Sequence, residues 1–215
     1  DSSGNARGFG IDLLNALSQS TVLRFTPRWV SSPQHAEVLL KQHQVMLNLL
    51  QPLYGDDASS NTLPVWRAIW GIYTLNTQQP MGWQSLQSGR VGVLRGDLAQ
   101  RLLPASLTPQ LFDDRAQLWQ ALNSGQIDAL VDNVLSARWR MASNTDNRVH
   151  LAFAASDIAW PLAPQVSGDQ PQLRALLDHA LQQIPPDTLN QMRISWSQPP
   201  QPGTSMAMRN IPLMI

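Results

Sequence analysis

Hydrophobic and polar positions along this chain follow two periods in turn. Behind a glycine-rich turn, GNARGFG, the apolar residues Ile11, Leu13, Leu14 and Leu17 recur at helical spacing, with Asp12 near the helix start. VLRFTPRWV then alternates, which predicts a strand. SPQHAEVLLKQHQ reads as a short helix opened by Ser32 and Pro33, VMLNLLQPL as a second strand, and VWRAIWGIYTLN, after the polar loop YGDDASSNTLP, as one aromatic strand. After a break at TQQPMGW, RVGVLRGDLAQRLL gives strand, glycine and a helix starting at Asp97. A strand fragment and a helix from Arg115 to Asn123, closed by Gly125, come next. IDALVD is a short strand, VLSARWRMA a helix, and VHLAFAA and IAWPLAPQ are strands. PQLRALLDHALQQI is the clearest amphipathic helix, with Leu173, Leu176, Leu177, Ala180, Leu181 and Ile184 on one face. DTLNQMRISW is a further helical segment, and the tail SQPPQPGTSMAMRNIPLMI reads as a linker followed by one strand.

Alternation of strands and helices predicts an α/β fold with mixed, mostly parallel sheets. The chain is long enough, at 215 residues, for one large domain or two modest lobes. Its longest apolar runs are too short to span a bilayer. Fifteen basic residues balance fifteen acidic ones, so there is no electrostatic footprint for nucleic acid. Without cysteine the chain has no disulfide, thiol chemistry or zinc–thiolate site. Its opening, DSSGNARGFG, reads as a loop entering a helix, as in a fragment of something longer.

Strong enzyme signatures are absent: there is no phosphate loop, histidine pair at metal-ligand spacing or nucleophile elbow. His35, His43, His150 and His179 are scattered and read as surface or capping residues. Two acids carry more interest. Asp97 follows Gly96 at a helix start, where backbone N–H groups bind anions; as a cap its carboxylate occupies those donors. Asp132 ends the strand-like IDALV, where ligands of open α/β sheets bind. There it either pairs with a ligand ammonium or caps the helix that starts near Asn133; both readings stand on the sequence. Asp128 reads as a turn or capping acid. Most of the aromatics Trp66, Trp70, Tyr73, Trp83, Trp119, Trp139 and Trp160 are expected in the core, with one or two of Trp70, Tyr73 and Trp160 lining a cleft.

The order of these motifs resembles that of type 2 periplasmic solute-binding domains, the family-3 amino-acid binders. GNARGFGIDLLNAL is similar to their first long helix with its G-x-x-x-G-x-x-x-D-L-L start. WQSLQSGRVGVLRGDLAQRLL resembles their second-lobe opening, LWQALNSGQIDALVDNVLSARW their strand block ending in aspartate, and LRALLDHALQQIPPDTLNQMRISW their closing helices. The double proline makes the last segment most similar to the Venus-flytrap modules of Bvg- and Evg-type hybrid sensor histidine kinases. The likeness runs from Gly4 to Trp196.

The resemblance implies two α/β lobes joined by two crossing strands near GIYTLN and LAFAASDIAW. The first lobe would be residues 1–76 and 158–196, the second 77–157, with 197–215 a linker and an edge strand or part of the next module. It implies a periplasmic sensory domain of a membrane-bound two-component sensor kinase, or, alternatively, a free-standing binding protein of an ABC uptake system for an amine-bearing solute. Catalysis is not expected in the domain, nor a cofactor or metal. The membrane is reached only through the parent protein, and the expected partner is a neighbouring flytrap module or second subunit. The ligand clamp departs from the family pattern. The arginine that holds a ligand carboxylate is missing from LNLLQPLYGDDASSNTLPVWRAIW, with Arg67 placed later, and Gly-Thr or Gly-Ser is replaced by Gly96–Asp97. Asp132 matches the position that holds the α-ammonium. The ligand is therefore expected to be cationic or neutral, held by Asp132 and Asp97, or absent.

Overall fold

The computed structural model describes residues 7–30, 32–53, 61–75, 82–143, 148–156, 159–168 and 170–198. Residues 199–215 of the tail read as linker and strand lie outside the described residues, as do the first six residues and the loop 54–60. The elements in chain order are α1 (Phe9–Ser20), α2 (Pro33–Lys41), β1 (Leu47–Pro52), β2 (Trp66–Ala68), β3 (Trp70–Thr74), a 3₁₀ turn over Trp83–Ser88, β4 (Val91–Leu94), α3 (Ala99–Leu102), β5 (Gln110–Phe112), α4 (Arg115–Asn123), β6 (Ala129–Asn133), α5 (Val134–Ser143), β7 (His150–Ala154), β8 (Trp160–Val166), α6 (Pro171–Gln183) and α7 (Pro186–Ser197).

Two sheets result. The smaller has the order β1-β8-β2 and the larger β5-β4-β6-β3-β7. The sheets are mixed, but parallel pairing is confined to β4 and its neighbours β5 and β6, which are joined by the helices α3 and α4. All other pairings are antiparallel. The parallel share is smaller than the alternation suggests because β3, β7 and β8 are the strands that carry the chain between sheets.

The aromatic run VWRAIWGIYTLN is not one strand. β2 pairs with β8 in the smaller sheet, whereas β3 lies between β6 and β7 in the larger. The chain changes sheets at Ile69, whose carbonyl accepts the N–H of Val134, and returns between Ala154 and Trp160. The first crossing thus precedes GIYTLN, and residues 70–74 pair with the sheet that the sequence reading gave to the second lobe. VLRFTPRWV is also not a strand: residues 23–30 form no ladder, although Leu23 and Phe25 pack inward and Val22 and Trp29 are exposed. Alternation sets the burial of these side chains, but a strand also needs a partner, and β1 pairs only with β8 among the described residues.

Helix ends follow local chemistry. α4 spans the predicted Arg115–Asn123; the Asp114 carboxylate accepts the N–H groups of Ala116 (2.6 Å) and Gln117 (3.2 Å), and Gly125 closes the helix in the left-handed region at φ 73°. α6 buries Leu177, Ala180 and Leu181 against Phe9, Leu13 and Leu17 of α1, beneath Val65 and Val166. On the larger sheet, α4 contributes Leu118, Trp119, Ala121 and Leu122 to a core with Tyr73 and Leu130.

Candidate functional site

The carboxyl end of β6 is where the two acids converge. Asp132 is 1% exposed. A buried carboxylate is costly unless paired and hydrogen-bonded, and here it is both. Arg115 Nε lies 3.1 and 3.2 Å from its two oxygens, the Trp119 indole N–H donates at 2.9 Å, and the Asn133 N–H donates at 2.8 Å. Arg115 and Trp119 stand four residues apart on α4, so one helix face supplies both side-chain donors. Capping of α5 falls to the neighbour: Asn133 Oδ1 accepts the N–H groups of Leu135 (3.0 Å) and Ser136 (3.2 Å). Asp128 also has a partner, Arg90, in an exposed contact of 2.7 Å that holds its carboxyl below the usual range, mainly through hydrogen bonds from that arginine.

Asp97 sits across from this group at the end of β4. Its Oδ1 accepts the Trp70 indole N–H at 2.7 Å and the Ala99 N–H at 2.8 Å, so it closes the turn into α3, which starts two residues later than predicted. Burial pushes its carboxyl above the ordinary range; the Ala99 N–H opposes this, the charge of Asp132 adds to it, and Arg115 and Trp70 oppose it. Gly96, at φ 75°, gives its N–H to Gln100 Oε1 at 2.7 Å. A Cβ on Gly96 would stand 2.8–2.9 Å from the backbone N, Cα and Cβ of Gln34 in α2. The turn after β4 thus rests directly on the start of the helix that packs against the smaller sheet.

The aromatic candidates do not form one wall. Trp70 and Tyr73 are both buried but lie on opposite faces of β3, Trp70 packing with Ile72, Val93 and Val131 and Tyr73 with Trp119 at 5.5 Å. Strand periodicity requires this of residues three apart. The Tyr73 hydroxyl has no hydrogen-bond partner among the described residues, and its pKa is pushed up by burial first and by the Asp132 charge second. Trp160 is half-buried against the same core as Trp70, its indole nitrogen likewise unpartnered among the described residues. Of the six candidates, then, Asp132, Asp97, Gly96 and Trp70 come together and Tyr73 faces away. Arg115, Gln100 and Gln34 were missed. For Arg115 there was a signal: a buried aspartate needs a cation, and Arg115 shares a helix face with Trp119.

A second contact joins the two halves. The Trp139 indole N–H on α5 donates to the Trp196 carbonyl on α7 at 2.8 Å, the rings lie 5.2 Å apart, and the Trp196 indole N–H donates to Asp12 of α1 at 2.6 Å.

No protein-family model matches the chain. It is 24% identical over 211 residues to the sensor protein EvgS of Escherichia coli O157:H7, an alignment covering 93% of this chain and 17% of that protein. Among solved structures, an ancestral arginine-binding protein bound to glutamine superposes with a TM-score of 0.78 at 19% identity, covering 91% of this chain and 90% of that one. The BvgS periplasmic domain of B. pertussis gives a TM-score of 0.74 at 20% identity, covering 89% of this chain and 38% of that one. The chain has the two-lobed Venus-flytrap fold. The chain spans about a sixth of the curated relative it matches, and the flytrap likeness extends over nearly its whole length. The Gln34–Gly96 approach and the Trp139–Trp196 contact each join an element packed on the smaller sheet to one packed on the larger. The solved neighbours named above are a binding protein and a periplasmic sensor domain rather than catalytic domains.

Proposed function

We propose that this flytrap is a periplasmic sensory module of a membrane-bound two-component sensor kinase, and that it works as a closed, ligand-free element that transmits mechanical state. The observation that carries this reading is the internal pairing of the two acids and the Gly96 N–H at the ends of β6 and β4. Asp132 is held by Arg115, Trp119 and Asn133, Asp97 by Trp70 and Ala99, and the Gly96 N–H by Gln100. A ligand ammonium would have to displace Arg115, and a ligand carboxylate would meet two acids. Closure needs no ligand where Gly96 already rests on Gln34. The Trp139–Trp196–Asp12 contacts couple the second lobe to α7, so that a change in lobe angle reaches the last described helix. Similarity to EvgS over nearly the whole chain supports the sensor role and its compartment.

A free-standing binding protein for an amine-bearing solute is the second reading, favoured by the end-to-end match to an arginine-binding protein. A thermal-shift screen against amino acids, polyamines and divalent cations, with Asp132→Ala in parallel, decides between them. The sensor reading expects no compound to give a shift that Asp132→Ala abolishes. A ligand at 100 times its dissociation constant would add about 2.7 kcal/mol; such a gain, lost in Asp132→Ala, would establish a receptor.

A further inference from the structure

Outside the cleft, the smaller sheet carries a cavity of about 490 Å³ lined by Pro64, Trp66, Arg67, Pro161, Arg193 and Ser197. The geometry points to a second ligand site here, for a small carboxylate with an aromatic or compact apolar body. The size is right: small-molecule pockets run from roughly 300 to 1,000 Å³.

Charge gives the ligand its sign. Among the described residues, no acidic side chain lines the cavity. Elsewhere in the chain Arg90, Arg95, Arg115 and Arg174 each face an aspartate. Arg67 and Arg193 have none among the described residues; each binds a backbone carbonyl instead. Arg67 Nη2 donates to Ala159 O at 2.7 Å, and Arg193 Nε donates to Val65 O at 2.9 Å. These bonds fix both guanidinium groups while leaving most of their N–H donors free for a planar anion.

The walls give the ligand its body. Arg67 and Pro161 are cross-strand partners, so β2 and β8 form the floor. Pro64 and Pro161 supply rigid apolar surface beside the two cations, whereas the Trp66 ring, one residue before Arg67 on β2, turns to the opposite face and meets Phe9 edge-on at 4.5 Å. Across from them, α7 brings Arg193 and Ser197 one turn apart, and the Ser197 hydroxyl is tied to the Arg193 carbonyl at 2.7 Å. A fully hydrated inorganic anion would leave this apolar surface unused, whereas an aromatic acid covers it.

Position gives it a consequence. β2 leads into the first crossing at Ile69, and Ala159, held by Arg67, belongs to the second. An anion drawn to Arg67 therefore acts beside both crossings and against α7.

The test is a titration of benzoate into the full, ¹⁵N-labelled chain, following the side-chain Nε–H resonances of Arg67 and Arg193, each assigned by its disappearance in Arg67→Lys or Arg193→Lys. The expected result is a saturable shift of both resonances and none with benzamide, which has the same ring without the charge. Binding should weaken about tenfold in each lysine variant, because lysine keeps the charge but loses the planar fork. Equal shifts with benzamide, or no saturable shift at either arginine, would overturn the inference; the benzamide contrast stands even if a variant folds poorly. This site shares no residue with the cleft. Binding that leaves the Gly96 and Asn133 amide resonances in place therefore has no bearing on the ligand-free reading.

Discussion

Asp132 is the most deeply buried acid of the ion pairs among the described residues, and it and Arg115 are unequal partners: the aspartate side chain is 1% exposed and the arginine 36%. Removing the arginine strands a buried charge. A fully buried pair broken this way loses about 3–5 kcal/mol; solvent at Arg115 screens part of that, so Arg115→Ala should cost about 2–3 kcal/mol in urea denaturation. Asp132→Asn in the same background should recover much of the loss, because the amide still accepts from Trp119 without leaving a charge unpaired. If the double variant is as unstable as the sum of the singles, the pair is not coupled. Asp97 has the opposite character. Its folded pKa is raised, so the folded state holds the proton more tightly than the unfolded chain. Its contribution is fully present below the unfolded carboxyl value of about 3.9 and is lost as pH rises through the folded value. The stability of the wild type relative to Asp97→Asn should therefore fall as pH rises across that window. Denaturation midpoints of both proteins from acid to neutral pH would check the sign; a rise would refute the assignment.

Among the elements, α7 has the most to transmit. It is held to the smaller-sheet side by Arg193 on Val65 and by Trp196 on Asp12 of α1, and to α5 by the Trp139 indole. Trp139→Phe keeps a ring but deletes the N–H donor, a loss of about 0.5–1.5 kcal/mol. The expectation is faster amide hydrogen exchange in the last turn of α7, with α4 unchanged, because α4 lies in the core of the second lobe. Unaltered exchange in α7 would remove the coupling from the proposed mechanism. The elements themselves were legible to different degrees. α4 and α6 read correctly because caps and apolar faces act within four or five residues. The run from Trp66 to Thr74 did not, since its two halves share one pattern and differ only in which distant strand they pair with.

At the scale of the molecule, the proposed lobe closure would rest on a position where only glycine fits. Gly96 and Gly125 have almost the same backbone, φ 75° and 73°, but Gly96 abuts Gln34 whereas nothing lies within 4 Å of a Cβ on Gly125. Alanine at either position incurs the left-handed penalty of about 1–2 kcal/mol. At Gly96 it also meets backbone that cannot rotate away, adding about 1–3 kcal/mol unless the lobes part. Gly96→Ala should therefore raise the radius of gyration measured by small-angle scattering, and Gly125→Ala should not. Identical scattering from both variants would mean that the lobes do not close on this contact.

What the sequence determined by itself is local: the α/β alternation, the bounds of α4, the buried face of α6, the absence of thiol chemistry, and the order of motifs that resembles a flytrap. These depend on periodicity, caps and composition, which are properties of neighbouring residues. Only the tertiary structure decided that Asp132 meets Arg115 and Trp119, that Trp70 holds Asp97 while Tyr73 turns to the other core, that β2 and β3 belong to different sheets, and that Arg67 and Arg193, without an acidic partner among the described residues, line one cavity. Each of these is a meeting of distant segments. A residue's own neighbours constrain whether it is buried, but its partner is set by strand register and lobe packing, which no local pattern encodes.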